Sequence, residues 1–331
     1  MFRLSSSGIA LLLLVLLVHD NYSWTSDVPP GPGARANVVL EKTYFPEQFQ
    51  DPSRKDRWSG DMAQGTFYRL AIDSEGRILA TDPALSVVQI LDVTEEIRWQ
   101  IRGDDRHPLV APTYISVDDE DNIYVTDPHL PYVSVYRPKG EFIRRIGIGS
   151  LFLPTGLWVD KKNSTLYVAD WARSQVLCFD LNGTWLRTIG RWGHVPGKLN
   201  QPFDIAVYND TLVVLDAGNS RFTLFDLKGN PRGILPFAFD RRPVAFTADA
   251  AGNLYYVDAI SGGVLEMDLH GRELAGIGQR RFGEWVPREQ RGVRFTCVAT
   301  DDSRGRLFLV RPPHEIEIWG RVTNDVAGKG R

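Results

Sequence analysis

Cysteine is nearly missing from this chain: two among 331 residues, too few for a disulfide framework or a Cys-rich zinc module. Methionine is scarce as well, three against nine Trp and eleven Tyr, so the core must be filled by shaped aromatic side chains rather than flexible thioethers. No basic excess exists: 38 Lys and Arg stand against 41 Asp and Glu, a net charge of −3. The chain as a whole therefore lacks the electrostatic footprint of a nucleic-acid binder, although a local basic patch stays compatible with it. Helical periodicity is also missing, since no apolar run of ten or more with a 3.6-residue period occurs outside the N-terminus. What is present is 43% hydrophobic and 24% charged residues, enough for a full core and against wholesale disorder.

One long apolar stretch remains, Ile9 to Val18 (IALLLLVLLV), preceded by Arg3 and ended by Asp20. A positive start and a ten-residue apolar segment predict a secretory signal, because such a run is short for a helix crossing about 30 Å of hydrocarbon. The best small-x-small site, Ala34-Arg35-Ala36, lies far beyond the run, so residues 1–20 are read as a signal peptide or an uncleaved N-terminal anchor. No Cys follows, which excludes a lipid-anchored lipoprotein. Residues 21–37 include the Pro- and Gly-rich stretch DVPPGPGARA and read as a flexible linker. Residues 323–331 read as a disordered tail. The expected location is secreted, periplasmic or membrane-anchored facing away from the cytoplasm, with membrane contact only through residues 1–20.

Between linker and tail the chain repeats itself. Pro112-Thr-Tyr-Ile-Ser-Val-Asp118, Asn122-Ile-Tyr-Val-Thr-Asp127, Tyr132-Val-Ser-Val-Tyr136 and Gly140-Glu-Phe-Ile-Arg-Arg-Ile-Gly147 form one unit. Pro154 to Asp160, Thr165 to Asp170, Gln175 to Asp180 and Gly183 to Gly190 form the next. The Asp closing the second segment recurs at 82, 127, 170, 216 and 258, spaced 45, 43, 46 and 42 residues apart. Each unit is four short runs rich in Val, Ile, Tyr and Phe, bounded by Asp, Gly, Asn or Pro, which predicts strands. Four strands per unit at this period predict an all-β, six-bladed propeller of four-stranded antiparallel blades over residues 38–322. The last copy has three strands, and Val38 to Phe45 is an orphan strand-like run, so the expected closure has this N-terminal strand completing the last blade.

The repeat Pro-x-x-Ile/Leu-x-Val-Asp, Leu-Tyr-Val-Ala-Asp, a strand ending Phe-Asp, then Gly-x-x-Leu-Arg-x-Ile-Gly resembles the NHL repeat over residues 66 to about 320. Asp170 to Pro202 carries the match most fully. Asp170-Trp171 is also similar to YWTD propellers, but the Gly-x-x-Leu-x-x-Ile-Gly ending favours NHL. The resemblance implies the fold; its members include RNA-binding modules, extracellular sensor and adhesion domains and a peptide-amidating lyase. That lyase would require three inward histidines as zinc ligands. Of the six here, His19 borders the signal, His270 occupies a turn, and His107, His129, His194 and His314 fall at unrelated repeat positions. No metal or cofactor is expected. RNA binding would need a basic face and cytoplasmic residence, which charge and signal oppose.

The recurrent Asp residues read as turn and inter-blade hydrogen-bonding elements. Asp118-Asp119-Glu120-Asp121-Asn122 reads as a polar turn, lacking the Gly and the bidentate Glu of an EF-hand loop. Cys178 and Cys297 fall on opposite blades and are expected as buried free thiols. Asn21-Tyr-Ser, Asn163-Ser-Thr, Asn182-Gly-Thr and Asn209-Asp-Thr are glycosylation acceptors for a eukaryotic exported chain.

A propeller gathers its second-to-third-strand loops and its inter-blade connections on one face, where irregular functional residues accumulate. Trp171, Arg173, Trp192, His194, Arg241 and Arg242 are assigned there, the Arg and aromatic types supplying stacking and forked hydrogen bonds. Tyr68, Tyr114, Asp204 and Arg294 are assigned to the mouth of the central channel. The reading is an exported module binding a protein or glycan partner through this loop face, with a small-molecule ligand admitted and nucleic acid not expected. Its alternative is an extracytoplasmic hydrolase or lyase at the channel mouth, and the sequence leaves open whether the chain is an enzyme.

Overall fold

Leu166 and Val168 must face one way along their strand and Tyr167 and Ala169 the other, because side chains alternate across a pleat. All four are fully buried. A strand that is apolar on both faces needs a packed neighbour on each side, and a ring of sheets provides one. In the computed structural model, which describes residues 38–44, 67–91, 97–277, 295–311 and 315–321, Leu166 and Val168 pack with the preceding blade and Tyr167 and Ala169 with the next.

The described residues form six four-stranded antiparallel sheets. Blades one to five run consecutively: Leu70–Ile72 to Ile97–Ile101, Tyr114–Val117 to Phe142–Ile146, Pro154–Asp160 to Trp185–Ile189, Pro202–Tyr208 to Pro231–Pro236, and Pro243–Ala248 to Glu273–Ile277. Blade six holds Cys297–Asp301, Arg306–Arg311 and Glu315–Arg321, with Val38–Tyr44 as its outermost strand, Val38 opposite Arg321 and Tyr44 opposite Ile316. The core is six apolar clusters, one at each inter-blade interface; the cluster joining Phe67, Leu70 and Ile78 to Cys297, Phe308 and Ile316 lies between blades six and one and closes the circle. Each fully buried large side chain contributes on the order of 1.5–3 kcal/mol. Cys178 and Cys297 lie in different clusters as free buried thiols, and burial pushes them up to about 12 and about 11.

The turns follow from their residues. In the third-to-fourth-strand hairpin of blade three, Asp180 accepts from the amides of Asn182 and Thr184, while Gly183 takes a φ of +99° that a side chain would strain. The acidic stretch at 118–122 is a capped turn: Asp118 accepts from the Glu120 and Asn122 amides, the Asn122 carboxamide and the Tyr124 hydroxyl.

At the centre the first strands touch. A Cβ added to Gly156 would sit 2.6 Å from the Asp204 Cα and 3.0 Å from the Ile205 nitrogen, so blade three approaches blade four through a missing side chain. Gly156→Ala is expected to cost about 1–3 kcal/mol by forcing these backbones apart, read as a lowered Tm; an unchanged Tm would contradict this packing. Threonines tie neighbouring blades beside this contact: the Thr81 and Thr126 hydroxyls, on second strands, and the Thr155 hydroxyl, on a first strand, donate to the Thr113, Thr155 and Pro202 carbonyls of the next blade at 2.8, 2.7 and 3.1 Å.

The signal or anchor, the linker, the tail, His19, Arg294, His314, Asn21 and the connection from Gln279 to Trp285 lie outside the described residues. Among the described residues no helix is long and apolar enough to cross a membrane.

Candidate binding face and channel

In blades two to five the recurrent Asp holds the incoming inter-blade connection against the loop of its own blade. Asp127 accepts from the amides of Val110 and Ala111 on the connection and of His129 on the loop. Asp170 does so with Phe152, Leu153 and Arg173, and Asp258 with Arg242, Ile260 and Ser261. Connections and second-to-third-strand loops are thereby gathered on one face. Asn163, Asn182 and Asn209 sit exposed in hairpins at the other end of the strands.

Blade four carries the most developed version. Asp216 accepts from the Asn200 amide, the Asn219 carboxamide, the Thr223 hydroxyl and the Arg221 Nε, the last at 2.9 Å. Arg221, itself buried, donates to the carbonyls of His194, Val195 and Lys198 at 2.7, 3.2 and 3.0 Å. The connection 190–201 is thus held from below by a charge-assisted fork. On top of it Trp192 is 68% exposed, edge-on to the His194 ring at 5.5 Å, while the His194 Nδ1 lies 2.7 Å from the Asn219 Oδ1.

The other assigned face residues divide by what they touch. Arg242 is exposed. Trp171 is half-buried, its amide donating to the Leu153 carbonyl. Arg173 donates to the Ser150 carbonyl and lies over the Phe152 ring. Arg241 is committed to Glu273 through two bonds of 2.8 and 2.9 Å and to Asp240 at 3.1 Å, so it braces the connection instead of offering a free fork.

Tyr68, Tyr114 and Asp204 do converge at the channel, and what they converge on is a side chain the sequence reading missed. The Arg69 guanidinium lies 4.5 Å and 4.4 Å from the Tyr68 and Tyr114 ring centroids. It donates to the Tyr114 hydroxyl and the Val244 carbonyl, both at 2.9 Å, and to the Thr296 carbonyl at 3.3 Å, with the Asp204 Oδ2 at 3.6 Å. One residue of blade one thus meets the first-strand regions of blades two, four, five and six. Asp204 also accepts from the Ile205 and Phe246 amides; burial nevertheless pushes it up to about 6, against the pull of Arg69 and these amides. Burial likewise raises Tyr114. A charged residue inside the apolar run Tyr68-Arg69-Leu70-Ala71-Ile72 was the available signal for Arg69. Among the described residues no group of three or more His, Cys, Asp or Glu is arranged to hold a metal ion.

Known proteins resemble this chain in the same terms. A family described as DUF5128, a 6-bladed beta-propeller, matches residues 157–262. Over 123 residues the chain is 31% identical to the E3 ubiquitin-protein ligase NHLRC1 of Rattus norvegicus, a stretch making up 34% of this chain and 31% of that protein, and the Mus musculus protein of that name matches equally. The similarity thus spans about a third of the curated relatives' length. Among solved structures, a chain of a nidogen/laminin complex superposes with a TM-score of 0.56 at 22% identity, covering 65% of this chain and 81% of that one. A streptogramin B lyase superposes with a TM-score of 0.58 at 11% identity, covering 79% and 95%. At such identities the likeness is one of fold, and the fold alone does not choose between binding and catalysis.

Proposed function

We propose that this chain, a six-bladed β-propeller of NHL-type repeats, is an exported binding module that captures a protein or glycan partner through its loop face. The observation that carries the reading is where exposed apolar side chains fall. Among the described residues, seven of the eleven exposed large hydrophobics sit on that face, in inter-blade connections or second-to-third-strand loops; the remaining four lie on outer strands. A concentration of this kind on one side of a soluble fold is the mark of an interaction surface. Trp192 is its natural anchor, since an exposed Trp on a braced loop gives contact area with little ordering cost. Export is supported by the leader-like residues 1–20 and by sequons placed away from the loop face.

The hydrolase or lyase alternative loses support at the channel mouth, where the Tyr114 hydroxyl and the Asp204 carboxylate are engaged by Arg69. Trp192→Ala and Arg242→Ala test the binding reading. Each is expected to reduce capture of the partner from the native compartment at least tenfold while leaving Tm within about 2 °C, since surface changes are usually worth less than about 0.5 kcal/mol. Capture that survives both substitutions would overturn the loop-face assignment.

A further inference from the structure

Resting on that reading, we infer that the part of the loop face over blades three to five docks an acidic peptide segment carrying aromatic or aliphatic anchors. Hydrogen bonds make this sector one continuous surface. Within blade three the Trp171 amide reaches Leu153, the Gln201 amide then reaches the Ser174 hydroxyl, and the Asn219 carboxamide reaches Gly193. The Phe237 amide crosses to Ser220, and the Ala259 amide reaches Arg242. Along this path Ile148, Phe152, Trp192, Val195, Phe239 and Ile260 are between 48% and 89% exposed.

The charge over this sector has one sign. Its loops, 147–153, 171–174, 190–201, 217–220, 237–242 and 259–263, hold five Lys or Arg and a single carboxylate, Asp240. Asp240 is paired with Arg241. The buried Asp170, Asp216 and Asp258 beneath are occupied by their own loops. Among the described residues, Arg191, Lys198 and Arg242 have no side-chain partner. The connection between blades one and two differs, with Asp104 and Asp105 set among Arg102, Arg106 and His107.

An unpaired cation beside an exposed apolar side chain asks for a ligand that brings both carboxylates and anchors. A polyanion such as RNA supplies charge and stacking bases, but it leaves Ile148, Val195 and Ile260 without use. It is also repelled at long range by a chain whose net charge is −3. A short acidic peptide carries far fewer charges and fills the apolar positions.

The test is selection of a displayed random dodecapeptide library on the full chain. Single-stranded RNA of random sequence and similar length serves as a second probe. The expected outcome is at least tenfold enrichment of peptides that are net negative and carry aromatic or large aliphatic residues. Synthetic winners should weaken at least tenfold when their Glu and Asp become Gln and Asn, and should fail to bind the double variant R191E/K198E at unchanged Tm. Neutral or basic winners, no enrichment, or RNA bound more tightly than the selected peptides would each overturn the inference. Trp192→Ala separates the two levels. If it abolishes native partner capture while the library yields no acidic preference, the docking face stands and only the class of partner falls.

Discussion

Arg69→Met is expected to lower stability by about 3–5 kcal/mol, because a buried ion pair broken on one side strands the remaining charge. The loss reaches across the ring, since the guanidinium touches first-strand regions from four other blades. The same site sets a pH dependence. Folded, Asp204 keeps its proton until about pH 6, whereas an unfolded Asp loses it near about 3.9. Between those values this site binds more protons in the folded state, so its contribution to stability falls as pH rises, by up to about 1.4 kcal/mol per pH unit, and levels off above about 6. Asp204→Asn should flatten that slope, and Arg69→Met should carry it to higher pH by removing the cation that favours the carboxylate. Denaturant melts at pH 4, 5, 6 and 7 check both, read as the difference between wild type and Asp204→Asn because carboxylates held low by their partners, such as Glu273 and Asp301, act in the opposite sense; a difference that rises from 4 to 6 would contradict the burial-dominated carboxyl.

The second large effect is expected at Arg221. Its guanidinium is the link between the buried Asp216 and three carbonyls of the connection that carries Trp192. Arg221→Met leaves Asp216 with an uncompensated charge and those carbonyls with one donor set fewer, a cost of about 3–5 kcal/mol. Arg221→Lys should recover only part of it, because an ammonium cannot reproduce the planar fork. Binding should fall along with protection of residues 190–201 from hydrogen exchange. Binding lost with full protection retained would place the effect elsewhere.

Much of the fold was legible because its determinants are local and repeat. The Asp at the second-strand end of five blades, the Gly at many hairpins and the runs of β-branched and aromatic residues act within their own blade, so one unit announces the next. The loop face was legible for the same reason: once strand order is known, the end at which Trp192 and Arg242 emerge follows. The channel was only half legible. Tyr68, Tyr114 and Asp204 were found from their register positions, but Arg69 acts over separations of 45, 175 and 227 residues. No local pattern shows which side chain reaches the axis when a ring closes. Arg241 was misweighted by type: its neighbours Glu273 and Asp240 come from a distant strand and an adjacent turn, and they convert a free cation into a strut. Phe152 and Val195 were passed over because an exposed apolar residue in a loop reads, from sequence, like any buried one.

Each apolar cluster is shared property, its side chains drawn from one sheet and from the next. No sheet therefore owns a hydrophobic interior, and excising any one strips two oily walls at a stroke. Fragments cut at sheet boundaries should stick to one another rather than fold singly, and the intact molecule should melt in one step, its subdivisions visible in shape but not in thermodynamics.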